Sequence, residues 1–153
     1  MYPKFIFRFV FYLIISFTFF SSNVFAEFLS VKSKSLTLFE GPSSSTKKKF
    51  IVTEGYPLKV IVSLKDWKKV EDHLGKISWA QVKYLDRERT VITLKSQAII
   101  YNKPNKREAK LAYIDELVVL NLLSPMVTDG WIKVKSTSVG VQGFIKVEEV
   151  WGI

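Results

Sequence analysis

Trp67-Lys-Lys-Val70 recurs as Trp131-Ile-Lys-Val134, with three of four positions identical. A second match follows each copy, because Gly75-Lys-Ile-Ser-Trp-Ala80 corresponds to Gly140-Val-Gln-Gly-Phe-Ile145. Apolar and polar residues alternate within both copies, and a period of two is typical of β-strands with one buried face. The chain therefore contains a duplicated β unit.

The duplication extends on both sides of these motifs. The first copy covers residues 36–85 and the second covers residues 98–150, so the offset is 62 residues at the start and 65 at the end. Between these limits, residues 57–61 align with residues 116–120. A repeat of this length indicates two copies of one supersecondary unit.

Short apolar runs and turn residues fill the rest of each copy. Gly, Pro, Asn, Asp and Ser cluster between the runs, and no apolar stripe with helical spacing persists beyond two turns after residue 26. Five short strands in a unit of about 55 residues are typical of a small closed β-barrel. The sequence therefore predicts an all-β protein with two barrels, at residues 27–87 and 88–153. The short link at residues 86–89 indicates that the barrels pack together.

The ordered set of motifs resembles bacterial SH3-like (SH3b) domains, in the tandem form found in exported proteobacterial proteins. The resemblance covers residues 28–153 and rests on Gly41-Pro42, the Trp-x-x-Val strands, the glycine-led strands after them and the final Trp151-Gly-Ile153. It implies two SH3-like β-barrels. It also implies a groove between two loops, lined by aromatic faces, that binds extended peptides or stacks on sugars.

The chain departs from the family pattern at several positions. Thr37-Leu-Phe39-Glu40 stands where Asn-x-Arg often precedes Gly-Pro, and the second copy has no Gly before Pro104. Ser78 and Phe144 replace the usual Gly and Trp. Ligand contacts that depend on that Arg or Trp are therefore not implied for this chain.

The amino-terminal segment predicts export. Residues 1–26 contain 8 of the 12 Phe and no acidic residue. Lys4 and Arg8 provide positive charge around the start of an almost unbroken apolar run at residues 9–20, which is the order of a secretory signal peptide with a helix in the bilayer. We therefore expect an exported, periplasmic protein.

The end of the apolar run has the features of a signal-peptidase site. Val24-Phe-Ala26 gives small residues at positions −3 and −1, so cleavage is expected between Ala26 and Glu27. The mature chain would then have 153 − 26 = 127 residues and a net charge of +7, because two of the 23 basic residues are removed. The alternative is an uncleaved signal that anchors the protein in the inner membrane, although about 12 apolar residues fall short of the roughly 20 needed to span a bilayer.

The residue counts exclude most catalytic and metal chemistry. The chain has no Cys, which removes disulfides, thiolate metal sites and a Cys nucleophile, and His73 is its only His. His73 lies in a loop near Asp66, Glu71 and Asp72, where a catalytic role would need a cleft and an oriented partner. We predict that the protein is not an enzyme and has no catalytic residue, no bound metal and no cofactor.

Aromatic side chains are the best candidates for ligand contact, because their faces stack on sugars and pack on extended peptides. The resemblance places three of them near the groove of each barrel: Phe39, Trp67 and Trp79, and Tyr101, Trp131 and Phe144. Trp67 and Trp131 have an alternative role in the core, because a Trp-x-x-Val strand turns one face inward. Trp151 is expected to seal the end of the second copy or the junction between copies.

The basic charge favours anionic partners, namely peptidoglycan stem-peptide carboxylates, anionic envelope polymers or a membrane surface. Part of it lies in Lys47-Lys-Lys49, which follows a Ser-rich loop and has solvation as its alternative role. The leading hypothesis is a non-catalytic binding module of the bacterial cell envelope that recognises peptidoglycan or a peptide through aromatic grooves. The alternative is a structural or adaptor protein that binds another envelope protein and has no cell-wall affinity. No nucleic acid partner is expected, and membrane attachment is expected only through an uncleaved signal peptide.

Overall fold

The computed structural model describes residues 26–153, so the predicted signal peptide lies outside the described residues except for Ala26. The fold is all-β, as predicted, with two seven-stranded antiparallel sheets formed by successive parts of the chain. Each sheet curls into a small β-barrel-like domain. We name them barrel 1 and barrel 2 in chain order.

Barrel 1 contains strands β1 to β7 in the spatial order β3-β2-β6-β5-β4-β1-β7. A single-turn 3₁₀ helix, η1, lies between the last two strands. The bounds are β1 Phe28–Val31, β2 Ser35–Phe39, β3 Lys48–Thr53, β4 Pro57–Ser63, β5 Trp67–Glu71, β6 Ile77–Gln81, η1 Val82–Tyr84 and β7 Leu85–Asp86.

Barrel 2 repeats this plan in the order β10-β9-β13-β12-β11-β8-β14, again with a 3₁₀ helix, η2, before its last strand. The bounds are β8 Thr90–Thr93, β9 Ala98–Tyr101, β10 Lys110–Ile114, β11 Val119–Thr128, β12 Trp131–Ser136, β13 Val141–Lys146, η2 Val147–Glu149 and β14 Val150–Trp151.

The structure has seven strands in each unit where the sequence predicted five. The last strand of each unit, β7 or β14, has two residues, which is too short to show a period. The first strand, β1 or β8, is buried at every position and so lacks the alternation that identifies a half-buried strand.

The predicted alignment of residues 57–61 with residues 116–120 is wrong by three positions. Leu58 corresponds to Leu120, because each is fully buried and lies opposite the first strand of its own barrel. Leu117, which the predicted alignment matched to Leu58, is an exposed turn residue before β11. Its apolar side chain made the turn look like part of a strand.

Each barrel encloses its own apolar core. The two cores are separate clusters of buried side chains from equivalent strands, and the inward faces carry Val, Leu, Ile and Ala. Pairs of buried residues occupy equivalent positions, such as Leu38 and Ile100, or Val70 and Val134. The duplicated sequence therefore preserves the pattern of buried positions, and burial of these side chains stabilises each barrel.

The two barrels contact each other through their outer faces. The rings of Phe28 and Trp151 meet edge to face with centroids 5.1 Å apart. The Arg89 guanidinium lies 5.3 Å from the Phe28 ring centroid and donates a hydrogen bond of 2.9 Å to the carbonyl of Gly152. The Thr90 hydroxyl donates to the carbonyl of a turn residue of barrel 1, Gly55, at 2.6 Å. Trp151 therefore lies at the junction.

Candidate functional site

Each barrel carries an aromatic pair in the same geometry. Phe39 and Trp67 in barrel 1 meet edge to face with ring centroids 5.5 Å apart and planes at 86°. Tyr101 and Trp131 in barrel 2 lie 5.4 Å apart at 87°. Edge-to-face contact is a favourable arrangement of aromatic rings, so the pair is a stable feature of the barrel plan.

The third predicted aromatic residue of each barrel lies next to its pair. Trp79 on β6 is directly opposite Phe39 on β2 in the sheet, and Phe144 on β13 is opposite Tyr101 on β9. The structure therefore brings the six predicted residues together as two sets of three, one in each barrel.

Three of these six side chains have little surface left for a ligand. Phe39, Tyr101 and Trp131 are each 7% exposed, because the edge-to-face contacts and neighbouring strands cover them. The prediction of ligand-facing rings does not fit the burial of these three residues. Trp67, Trp79 and Phe144 are partly buried and keep some accessible surface.

A depression opens beside Trp67 in barrel 1. It has a volume of about 420 Å³ and lies between the β4–β5 turn and the start of η1. A backbone hydrogen bond of 3.0 Å from Val82 N–H to the carbonyl of Asp66 joins these two segments. The lining residues are Lys65, Asp66, Trp67, Gln81, Val82 and Lys83.

A second depression of about 370 Å³ continues from the first toward the β2–β3 hairpin. Gln81 and Lys83 line both depressions, so the two adjoin, and we call them together the groove. Phe39 and Tyr84 lie along the second part of this groove. The groove therefore runs from the Trp67 ring across η1 to the β2–β3 hairpin, a length of surface that suits an extended ligand.

The groove combines aromatic surface with more positive than negative charge. The ammonium group of Lys83 lies 4.8 Å from the Tyr84 ring centroid, and Lys65 adds a second positive charge against the single carboxylate of Asp66. Sequence reasoning missed Gln81, Lys83 and the other η1 residues. Their position in the sequence could have indicated them, because these residues directly follow the strand that contains Trp79.

The equivalent surface of barrel 2 is covered. Lys146 occupies the place of Gln81, because each lies opposite the Trp that begins the preceding strand. The Lys146 ammonium lies 5.8 Å from the Trp131 ring centroid and 3.1 Å from a carboxylate oxygen of Glu148. The hydrogen bond with Glu148 raises the pKa of Lys146, and the same contact lowers the pKa of Glu148. Both groups are therefore held in their charged forms, with the Lys146 ammonium near the Trp131 ring.

His73 has a neighbour that the sequence did not indicate. The Tyr56 hydroxyl is hydrogen-bonded to Nδ1 of His73. Burial, together with the negative charge of Asp72, raises the pKa of Tyr56 to about 12. The carboxylate of Asp72 accepts hydrogen bonds from the backbone N–H groups of Leu74 and Lys76, both at 2.9 Å. The Asp72 carboxylate is thus engaged in shaping the β5–β6 turn.

Two kinds of feature are absent from residues 26–153. Within this part of the chain, no cluster of three or more His, Cys, Asp or Glu side chains is arranged to hold a metal ion. The same residues contain no helix with the length and apolar character needed to cross a membrane.

Comparison with known proteins gives distant structural likenesses. No protein-family model matches the chain, and no curated protein matches it. Among solved structures, it is similar to NlpC2 from Trichomonas vaginalis, with a TM-score of 0.38, 13% identity, and coverage of 85% of this chain and 49% of that one. NlpC1 from the same organism gives a TM-score of 0.38, 12% identity and coverage of 85% and 47%. The chain spans about half the length of these two proteins, and a likeness this distant indicates neither activity nor ligand.

Proposed function

We propose that the protein is a non-catalytic binding module of the bacterial cell envelope and that it binds an extended peptide or peptidoglycan strand in the groove of barrel 1. The observation that carries the proposal is the groove of two adjoining depressions between Trp67 and the β2–β3 hairpin. Its size suits several residues of an extended chain.

The chemistry of the groove supports an anionic, extended ligand. The ring of Trp67 provides an apolar face for stacking, and Gln81 offers an amide that both donates and accepts hydrogen bonds. Lys65 and Lys83 complement carboxylates such as those of stem peptides. The export signal predicted in residues 1–26 would deliver the protein to the compartment where that ligand is found.

Binding to purified peptidoglycan sacculi tests the proposal. Wild-type protein is expected to be retained on sacculi at physiological salt. Lys83→Gln should reduce retention by about fivefold, because it removes one charge-assisted contact of about 1 kcal/mol with a ligand carboxylate. The matched variant Lys146→Gln leaves the barrel 1 groove intact and should retain wild-type binding.

Two results would contradict parts of this proposal. Absence of wild-type retention would remove the cell-wall ligand, and co-purification of one defined envelope protein would then support the adaptor alternative. Release of soluble fragments from sacculi by wild-type protein, but not by His73→Ala, would show catalysis.

A further inference from the structure

Four lysines meet on a surface of barrel 1 that is separate from the groove. Lys47, Lys48 and Lys49 are exposed at the start of β3, and Lys76 is exposed in the β5–β6 turn. The ammonium of Lys49 donates a hydrogen bond of 2.8 Å to the carbonyl of Ile77, so β3 and this turn lie side by side. We name these four residues the lysine patch.

An aromatic ring lies between the two parts of the patch. The Lys76 ammonium lies 4.8 Å from the ring centroid of Phe50, and the Lys49 ammonium lies 5.9 Å from the same centroid. Cation–π contacts of this kind hold the two ammonium groups on one side of the barrel. The lysines are thus concentrated by the fold and are not spread over the surface.

Two exposed apolar side chains border the lysine patch. Leu74 precedes Lys76 in the same turn and is 64% exposed, and Ile51 follows Lys49 on the same face of β3 and is 72% exposed. The Asp72 carboxylate accepts the N–H groups of Leu74 and Lys76, and this contact holds the turn in a shape that presents both side chains to solvent. Basic and apolar groups are therefore presented together.

The acidic side chains beside the patch do not neutralise it. Glu71 lies opposite Ile77 in the sheet, but its carboxylate is paired with Lys59 at 3.5 Å. Asp72 is buried, and its carboxylate accepts the N–H groups of Leu74 and Lys76. Glu40 lies beside the backbone of Lys47, so the four lysines outnumber the carboxylates that remain near them. Barrel 1 as a whole, residues 27–87, has 12 basic and 7 acidic residues, whereas residues 88–153 have 9 and 7.

Barrel 2 lacks this surface although its backbone follows the same plan. Only Lys110 remains of the four lysines, and the positions of Lys47, Lys49 and Lys76 are occupied by Ala109, Leu111 and Val141. The patch is therefore not a requirement of the fold, and a separate explanation is needed for its presence in barrel 1.

We propose that the lysine patch and its apolar border bind the surface of an anionic phospholipid bilayer. The lysines complement the headgroup charge, and a polybasic surface is attracted to anionic lipids by about 1 kcal/mol for each basic residue near the membrane. Leu74 and Ile51 account for the choice of a bilayer over a soluble polyanion, because only a bilayer offers an apolar layer behind its charged groups. Barrel 1 thus meets the membrane through a surface that is independent of residues 1–26.

Site-specific fluorescence on the full chain tests this proposal. The chain has no Cys, so Leu74→Cys gives a single attachment site for an environment-sensitive dye. Val139→Cys is the matched control, because Val139 is 51% exposed in the equivalent turn of barrel 2. Vesicles of phosphatidylglycerol and phosphatidylcholine, and of phosphatidylcholine alone, would contain lipids with a quencher in the acyl chain. The dye reports which surface meets the bilayer even where residues 1–25 hold the chain on the vesicle.

Quenching is expected at position 74 on anionic vesicles and not at position 139. Lys47→Gln with Lys48→Gln should lower the equilibrium constant for this surface contact by about fivefold per lysine. Both side chains are exposed, so the double variant should fold normally. Lys110→Gln, at the position of Lys48 in barrel 2, should leave the quenching unchanged.

Three results would overturn the proposal. The first is equal quenching at positions 74 and 139, and the second is equal quenching on anionic and neutral vesicles. The third is lysine-dependent binding to vesicles while the dye at position 74 remains in water, which would mean that the patch recognises charge without inserting apolar side chains.

Discussion

The two barrels share a backbone plan and differ in what covers the aromatic pair. Phe39 with Trp67 and Tyr101 with Trp131 have nearly the same geometry, at 5.5 and 5.4 Å between centroids. In barrel 1 a groove remains open beside Trp67, whereas in barrel 2 the Lys146 ammonium lies over Trp131. The fold therefore fixes the position of the aromatic pair, and the side chains around it differ between the barrels in how much of the Trp ring they leave accessible.

The copies also differ at two positions that affect the backbone. Gly143 on β13 of barrel 2 corresponds to Ser78 on β6 of barrel 1. The turn before β11 has Leu117 with a φ of 62° where the turn before β4 has Gly55 with a φ of 76°. Barrel 1 has Ser78 where barrel 2 has Gly, and barrel 2 has Leu117 where barrel 1 has Gly. Exchange of these residues between the copies measures how much each one changes the free energy of unfolding.

The largest effect is expected for Gly143→Ser, which gives barrel 2 the residue of barrel 1. A Cβ at this position would overlap the carbonyl oxygen of Tyr101 and lie 2.7 Å from Cγ2 of Ile100. The strands must then move apart, which should lower the free energy of unfolding by about 2 to 3 kcal/mol. Urea unfolding together with amide hydrogen exchange in barrel 2 measures this loss. A loss below about 0.5 kcal/mol would mean that barrel 2 adjusts as barrel 1 has done.

A smaller effect of opposite sign is expected for Ser78→Ala in barrel 1. Ser78 is 2% exposed, and its hydroxyl has no hydrogen-bond partner among residues 26–153. Removal of a buried, unpaired hydroxyl should raise the free energy of unfolding by about 1 kcal/mol. Ser136→Ala is the control, because Ser136 is equally buried but its hydroxyl contacts that of Ser138 at 3.0 Å, so its loss should destabilise barrel 2. An identical response to both substitutions would contradict the argument.

Leu117→Gly should increase stability by about 0.5 kcal/mol. Relief of the left-handed conformation of a non-glycine residue is partly offset by the greater freedom of Gly in the unfolded chain. The Leu117 side chain is 52% exposed, so little packing is lost. Thermal unfolding measures the gain. Gly55→Ala is the reciprocal change and should destabilise, because its Cβ would lie 2.9 Å from Val119 Cγ1; a gain in that variant would refute the comparison.

The smallest effect concerns how the position of the Lys146 ammonium near the Trp131 ring depends on pH. Because Lys146 lowers the pKa of Glu148, the ion pair is fully present above the ordinary carboxyl pKa of about 4.3 and is lost as the pH falls through the lower folded value. The indole N–H resonance of Trp131 should therefore shift below about pH 4. Glu148→Gln should show the low-pH position of the Trp131 resonance at neutral pH. A Trp131 resonance that does not change in either case would mean that the ion pair does not hold Lys146 in place.

Sequence reasoning predicted the duplication and the all-β fold because strand periodicity and turn residues are local signals. It did not predict the burial of Phe39, which follows a shift in the β2–β3 register between Leu38 and Phe39. The shift places two consecutive residues in the interior, at 1% and 7% exposure, where simple alternation allows one. Alternation fails in the same way at Ile100 and Tyr101 in barrel 2.

The groove was less accessible to sequence reasoning than the fold. Gln81 and Lys83 are polar residues at the edge of a three-residue helix, and such a short element has no periodicity to recognise. Their importance comes from the β2–β3 hairpin and the β4–β5 turn, which are distant in sequence and adjacent in space. The lysine patch combines both cases, because Lys47–Lys49 is visible in the sequence while the contribution of Lys76 depends on the turn that Asp72 shapes.

The junction between the barrels sets an order of folding events. One of its contacts joins residues far apart in the chain, because Phe28 meets Trp151. Each sheet, in contrast, pairs only strands from one half of the described chain. On the ribosome, strands β1 to β7 are complete long before Trp151 is synthesised, so Phe28 stays without its aromatic partner through most of translation. The Phe28–Trp151 contact of the junction thus waits for the final residues of barrel 2.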